Sequence, residues 1–206
     1  MSRRTLAILL VSAIPLVAGP VAAAPPGTLE AGPRVGLVTS TFTGAPIDDS
    51  PDRVSSKVGP MGSLLVRWLR GRWSVEGEIG VSDRGATMDR GGGAVGVHFY
   101  QLELPLVGVR SFTLTIPLVP RLVAGLSPSV RFAGGDLEDE EDTRPPIDRR
   151  FDIALVLGVG AAWPREGGTW LLDLRYLGGL RDLTAADRSG DEIRASALAI
   201  TAGYTY

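Results

Sequence analysis

Large apolar residues recur at every second position along most of the chain. Trp170, Leu172, Leu174 and Tyr176 form one row, with Asp173 and Arg175 set between them. Phe151, Ile153, Leu155, Leu157, Val159, Ala161 and Trp163 form a longer one, opposed by Asp152, Ala154, Val156, Gly158 and Gly160. At the C-terminus, Leu198, Ile200, Ala202, Tyr204 and Tyr206 face away from Ala195, Ala197, Ala199, Thr201, Gly203 and Thr205. Successive side chains of a strand point to opposite faces, so this period of two predicts strands with one large apolar face and one small or polar face. Leu122, Ala124, Leu126 and Val130 alternate in the same way with Arg121, Val123, Gly125, Ser127, Ser129 and Arg131. Trp73, Val75, Ile79 and Val81 alternate with Ser74, Glu76, Glu78 and Ser82, and Tyr100, Leu102 and Leu104 with Gln101 and Glu103. Leu64, Val66 and Trp68 alternate with Ser63, Leu65 and Arg67. The row with least contrast is Val35, Leu37 and Thr39 against Gly36, Val38 and Ser40. No long segment carries a helical period.

These rows predict eight strands, over about 33–43, 60–70, 72–83, 95–106, 117–132, 150–164, 168–182 and 193–206. Several reach the ~9–11 residues that a tilted strand needs to cross a bilayer. An even number of antiparallel strands can close on itself, which is how a sheet sits in lipid without unpaired edges. The connections alternate in length. Gly71-Arg72 is tight, 164–168 is short and 109–114 is intermediate, whereas 44–58, 83–93, 133–149 and 183–191 are long and polar. Short turns at one end and long loops at the other are the pattern of an outer-membrane barrel with its loops outside the cell. The expected fold is therefore all-β: an eight-stranded antiparallel up-and-down transmembrane β-barrel preceded by a signal peptide. A soluble periplasmic barrel holding an apolar ligand would alternate equally well with its faces exchanged. The loop asymmetry, the Trp and Tyr near strand ends and the N-terminal segment favour the membrane.

That segment begins with Met1-Ser2-Arg3-Arg4, runs apolar from Leu6 to Ala18 apart from Ser12, and ends in Gly19-Pro20 and Val21-Ala22-Ala23-Ala24-Pro25. A basic start, an apolar stretch and small residues make an export signal. Cleavage is expected after Ala23, giving a signal at 1–23, a short linker at 24–32 and a barrel at 33–206. N-terminal sequencing of the membrane form should start at Ala24; a protein still starting at Met1 would remove the export argument.

The composition narrows the chemistry. The 206 residues contain no Cys and one His, which excludes disulfides, thiolate metal sites, a Cys nucleophile and poly-His metal sites. The 21 basic and 23 acidic residues argue against a nucleic-acid partner. No cofactor, metal ligand set or catalytic residue is expected. The polar faces place Arg67, Glu76, Glu78, Glu103, Arg121, Arg131, Asp173 and Arg175 inside the barrel. The interior of about eight strands is just wide enough for side chains to fill. A structural network of lumen charges is therefore expected, with Arg175 meeting a carboxylate such as Glu78 or Glu103. Pairing is required because removing one partner of a buried pair costs about 3–5 kcal/mol.

Three further features carry an alternative reading. His98 is an acid/base candidate, but a lipid A deacylase-like barrel has a Ser two residues beyond its His, and Tyr100 stands there. Asp136, Glu138, Asp139, Glu140, Glu141 and Asp142 lack the spacing of an EF-hand, so a solvated loop is favoured over divalent bridging to lipopolysaccharide phosphates. Gly91-Gly92-Gly93 is followed by no Lys-Ser/Thr pair, which argues against a phosphate cradle. The expected partners are outer-membrane lipid and lipopolysaccharide, with the loops available to an envelope protein.

Several segments also resemble PorT-like outer-membrane β-barrel proteins. They are Val35–Gly44 (VGLVTSTFTG), Trp73–Ser82 (WSVEGEIGVS) with Gly85, Phe99–Leu106 (FYQLELPL), Pro120–Ser127 (PRLVAGLS) and Leu172–Leu180 (LDLRYLGGL), in that order. The resemblance spans Val35 to Tyr206. It implies an eight-stranded outer-membrane barrel and transfers no catalytic residue.

Overall fold

The computed structural model describes residues 27–43, 53–90, 93–114, 117–135, 150–181 and 194–206. They form strands β1 (Thr28–Thr43), β2 (Arg53–Arg70), β3 (Trp73–Arg90), β4 (Gly93–Glu103), β5 (Leu106–Ser111), β6 (Val119–Gly135), β7 (Phe151–Arg165), β8 (Gly168–Gly179) and β9 (Arg194–Thr205). All neighbours are antiparallel. β4 and β5 share one place in the ring, since both pair with β3 on one side and β6 on the other. Pro105 has no N–H to give to the ladder and separates them. Its carbonyl still accepts from the Glu78 N–H at 2.9 Å, and the Leu104 N–H donates to the Pro128 carbonyl at 2.9 Å. The ring thus has eight positions, as the alternation predicts.

β1 closes the ring by pairing with both β2 and β9. At the seam, Ala31 and Tyr206 exchange two backbone hydrogen bonds of 3.1 and 3.0 Å. Following directly opposed residues round the barrel leads from Glu30 through Arg67, Glu76, Val107, Gly125, Val156, Leu177 and Ala197 back to β1 at Ser40. The displacement from Glu30 to Ser40 is ten residues. For strands rising ~3.3 Å per residue and ~4.8 Å apart, this shear tilts them by about 40°.

The burial is inverted relative to a water-soluble sheet. Leu64 is 63% exposed, Leu172 54% and Ile200 51%, whereas Arg121 is 1% and Glu76 0%. The large apolar rows therefore face outward on every side, and the small and polar rows fill the lumen. Within the lumen, Val38, Val107, Val123, Val156 and Leu177 form an apolar cluster, and Leu65, Ala162 and Leu171 form a smaller one. Gly71 and Gly167 adopt positive φ in the turns at 71–72 and 166–167, a conformation that costs a residue without Cβ little.

Several boundaries differ from expectation. β3 continues to Arg90 and β4 starts at Gly93, so most of the expected loop at 83–93 is paired, with Arg84 opposite Phe99 and Ala86 opposite Val97. Beyond Val81 the alternate positions Asp83 and Gly85 are no longer large and apolar, so the contrast that marks a strand in lipid disappears. β1 starts at Thr28, within the stretch expected as a linker, and pairs Thr28 through Pro33 with Leu69 through Leu64. β2 starts at Arg53, with a register shift between Ser56 and Met61. Val109 to Ser111 belong to β5 rather than to a connection, and β8 ends at Gly179.

Closure without a free edge makes unzipping slow. Unboiled and boiled samples should therefore migrate differently on denaturing gels; a single identical band would contradict the ring.

Candidate functional site

Four arginines reach the lumen from four strands: Arg34 on β1, Arg67 on β2, Arg121 on β6 and Arg175 on β8. They meet Glu76 and Glu78 from β3 and Asp173 from β8. Glu76 is the hub. It lies 2.6 Å from Arg121 Nη2, 3.2 Å from Arg67 Nε, 3.6 Å from Arg34 Nη2 and 3.7 Å from Arg175 Nη2. Glu78 accepts from Arg34 Nη1, from Arg175 Nη1 at 2.6 Å and from the Ser63 hydroxyl at 3.1 Å. Asp173 binds Arg34 Nη2 at 3.0 Å, Arg121 Nε at 3.2 Å and Arg175 Nη2 at 3.2 Å. At the turn end, Glu30 pairs with Arg67 at 3.2 Å and accepts from the Thr205 hydroxyl at 2.6 Å. Four guanidinium groups thus face four carboxylates.

Register and side-chain size create the space for this network. Arg67 stands directly opposite Glu76 across β2 and β3. Asp173 stands opposite Gly160, and Arg175 opposite Gly158. A Cβ on Gly160 would come within 2.0 Å of Asp173 Oδ1, and one on Gly158 within 3.1 Å of Arg175 Cγ. The bare inner face of β7 is the space that the β8 charges occupy. The small inner row of β9, with Ala197, Ala199 and Thr201, does the same on the other flank. The side chains of Arg34, Glu76, Arg121 and Asp173 are 0% exposed. At the turn end, a vestibule of about 630 Å³ reaches inward as far as Glu30 and Arg67, where the charges begin.

The remaining expected lumen residues, Glu103 and Arg131, make contacts outside this network. Glu103 joins a separate cluster, accepting from Arg84 Nη2 at 2.9 Å, from Gln101 Nε2 at 3.0 Å and from the Ser82 hydroxyl. Arg131 is half-buried, with its Cζ 4.7 Å above the Phe99 ring, and Phe99 stacks on Phe42. Arg175 meets Glu78, not Glu103. Arg34, Glu30 and Arg84 are additional to the set that the alternation predicts. Arg34 shares the parity of Gly36 and Val38 in the least contrasted row, Glu30 fell in the expected linker, and Arg84 fell in an expected loop.

Among the described residues, no group of three or more His, Cys, Asp or Glu is placed to hold a metal ion. The backbone of His98 pairs with Gly85 and Gly135 in the β4 ladders, while its side chain lies outside the described residues. The expected signal peptide, the Gly91-Gly92 step and the acidic run at 136–142 also lie outside them.

Residues 20–185 match the sequence model of a family described as outer membrane protein beta-barrel domain. No curated protein sequence matches the chain. Among solved structures, the chain is similar to the outer membrane protein OprG from Pseudomonas aeruginosa. The TM-score is 0.54 at 11% identity, over 88% of this chain and 96% of that one. It is also similar to Neisserial surface protein A (NspA), with a TM-score of 0.50 at 12% identity, over 85% of this chain and 95% of that one. At such identities the likeness concerns the fold.

Proposed function

The chain belongs to the outer membrane protein beta-barrel domain family and is an integral β-barrel of the outer membrane, and on that premise we propose that it is a closed barrel of the PorT-like type with a structural and interaction role. Its lumen is filled by its own charges and its working surface is the loop end. The observation that carries this reading is the burial of Arg34, Glu76, Arg121 and Asp173, whose side chains contact neither end of the barrel's solvent. An aqueous path needs polar side chains that water can reach. These instead form ion pairs with one another inside the barrel, as a structural plug does.

The loop end supports the interaction role. The strand ends at Thr43, Arg53, Gly135, Phe151 and Arg194 lie at the end of the barrel opposite the short turns at 71–72 and 166–167. The partners proposed for this end are lipopolysaccharide and an envelope protein, and the sequence between β6 and β7 carries the acidic run at 136–142. The role is non-enzymatic: two residues beyond His98 the chain carries Tyr100, which faces outward, and not a serine nucleophile. The test is electrical. Purified protein in planar bilayers should give no sustained porin-size current, and reproducible large steps from the monomer would overturn the closed-lumen reading.

A further inference from the structure

All four tryptophans of the chain, Trp68, Trp73, Trp163 and Trp170, stand near the two short turns. Trp68, Trp73 and Trp170 are 44%, 58% and 41% exposed on the outer face. Trp163 stands opposite Trp170 on neighbouring strands. This end carries the periplasmic turns of an outer-membrane barrel, so the tryptophans mark the boundary with the inner, phospholipid leaflet.

Trp163 has one arginine, Arg165, over its ring at 5.0 Å, whereas another row on this boundary carries two arginines around a single indole. Arg70 on β2 stands directly opposite Trp73 on β3, and Trp73 directly opposite Arg110 on β5. Two arginines thus flank one indole at a single height. The Arg110 Cζ lies 4.7 Å from the centre of the Trp73 ring, a cation–π contact that holds the guanidinium beside the indole. Arg72 adds a third cation in the turn itself. Among the described residues, none of Arg70, Arg72 and Arg110 forms an ion pair with a carboxylate, in contrast to the lumen arginines.

Immediately toward the bilayer the surface is recessed. Gly108 stands opposite Val75, and Gly77 opposite Leu106. A Cβ on Gly77 would meet nothing within 4 Å, and one on Gly108 only the Ala124 carbonyl oxygen at 3.8 Å. The two glycines leave a shallow channel in an otherwise bulky belt, starting at the arginine row and running into the apolar zone.

We propose that Arg70, Trp73 and Arg110 bind the phosphate of an anionic phospholipid headgroup in the periplasmic leaflet, with an acyl chain lying along Gly108 and Gly77. The two guanidinium groups supply charge-assisted hydrogen bonds to the phosphate, and the indole fixes one of them at headgroup depth. The glycine channel receives the hydrocarbon. This site is on the outside of the barrel and does not depend on whether the lumen is closed.

The test uses the full chain refolded into phosphatidylcholine vesicles, in a Trp163→Phe/Trp170→Phe background so that only Trp68 and Trp73 emit. Phosphatidylglycerol or phosphatidylcholine with brominated acyl chains is titrated in, and quenching gives their relative binding constant. Phosphatidylglycerol should be preferred by roughly five-fold for each engaged arginine. The preference should vanish in Arg70→Gln/Arg110→Gln, whose folding is checked by gel migration before and after boiling. It should persist in Arg181→Gln, whose charge lies at the opposite end. Equal quenching by the two lipids in the starting protein would overturn the proposal. So would a preference that survives the double substitution, or one that Arg181→Gln also removes.

Discussion

Glu76→Leu should destabilise the barrel more than any single substitution at its rims, by about 3–5 kcal/mol. The side chain is fully buried and lies within 4 Å of four guanidinium groups, of which Arg121 is 2.6 Å away. Leucine would leave Arg121 with Asp173 alone and Arg67 with the edge residue Glu30. Desolvated cations with half their partners removed pull in water or expel the strand that carries them. The measurement is the temperature at which the fast-migrating unboiled form is lost. Arg175→Leu should also lower it, because Glu78 and Asp173 each lose a partner. Arg181→Leu should leave it nearly unchanged: that guanidinium is exposed, with its Cζ 5.6 Å from the Phe151 ring centre. Equal midpoints for Glu76→Leu and Arg181→Leu would refute the assignment of Glu76 to the closed lumen.

The coupling is measurable as well as the loss. In Arg121→Gln/Glu76→Gln both members of the shortest contact of the hub are neutral, so the double variant should cost less than the sum of the two single ones. Simple additivity would mean that the pair does not interact across the lumen.

Alternation made the outward rows of β7 and β8 readable, because lipid on one side and a filled lumen on the other impose the strongest contrast a strand can carry. The same contrast placed Glu76, Glu78, Asp173 and Arg175 on inner faces. It fixed the face but not the height. Glu103 and Glu78 share a parity rule, yet of the two Arg175 meets only Glu78, because Glu103 stands opposite Gly80, farther toward the loop end. β1 was hardest to read. Its inner row mixes Gly32, Gly36 and Val38 with Arg34, so a residue that, like Arg175, touches Glu76, Glu78 and Asp173 together reads as the start of a weak strand. Arg84 was hidden for the opposite reason. It lies between Asp83 and Gly85, where the row of large apolar residues has stopped, so a paired strand reads as a loop.

Emptying the plug should create a small conductance where the native barrel has none. Arg121→Ala/Glu76→Ala removes two long buried side chains that touch inside the lumen. Arg34, Arg67 and Arg175 then face Glu30, Glu78 and Asp173, so three cations still meet three carboxylates and the remaining charges stay balanced. The fold should therefore survive at reduced stability, and closure by β1 and β9 does not involve either position. The vacated volume joins the turn-end vestibule, which already reaches Arg67. Water entering there would solvate the exposed charges and carry small ions. Wide aqueous channels belong to barrels of about 16–18 strands, so the current should stay far below porin size even then. Single-channel recordings in planar bilayers should show brief small steps for the double variant and a quiet baseline for the native protein and for Arg181→Ala. A double variant that still folds and is as quiet as the native barrel would place the barrier elsewhere, in the cluster around Arg84 and Glu103 nearer the loop end.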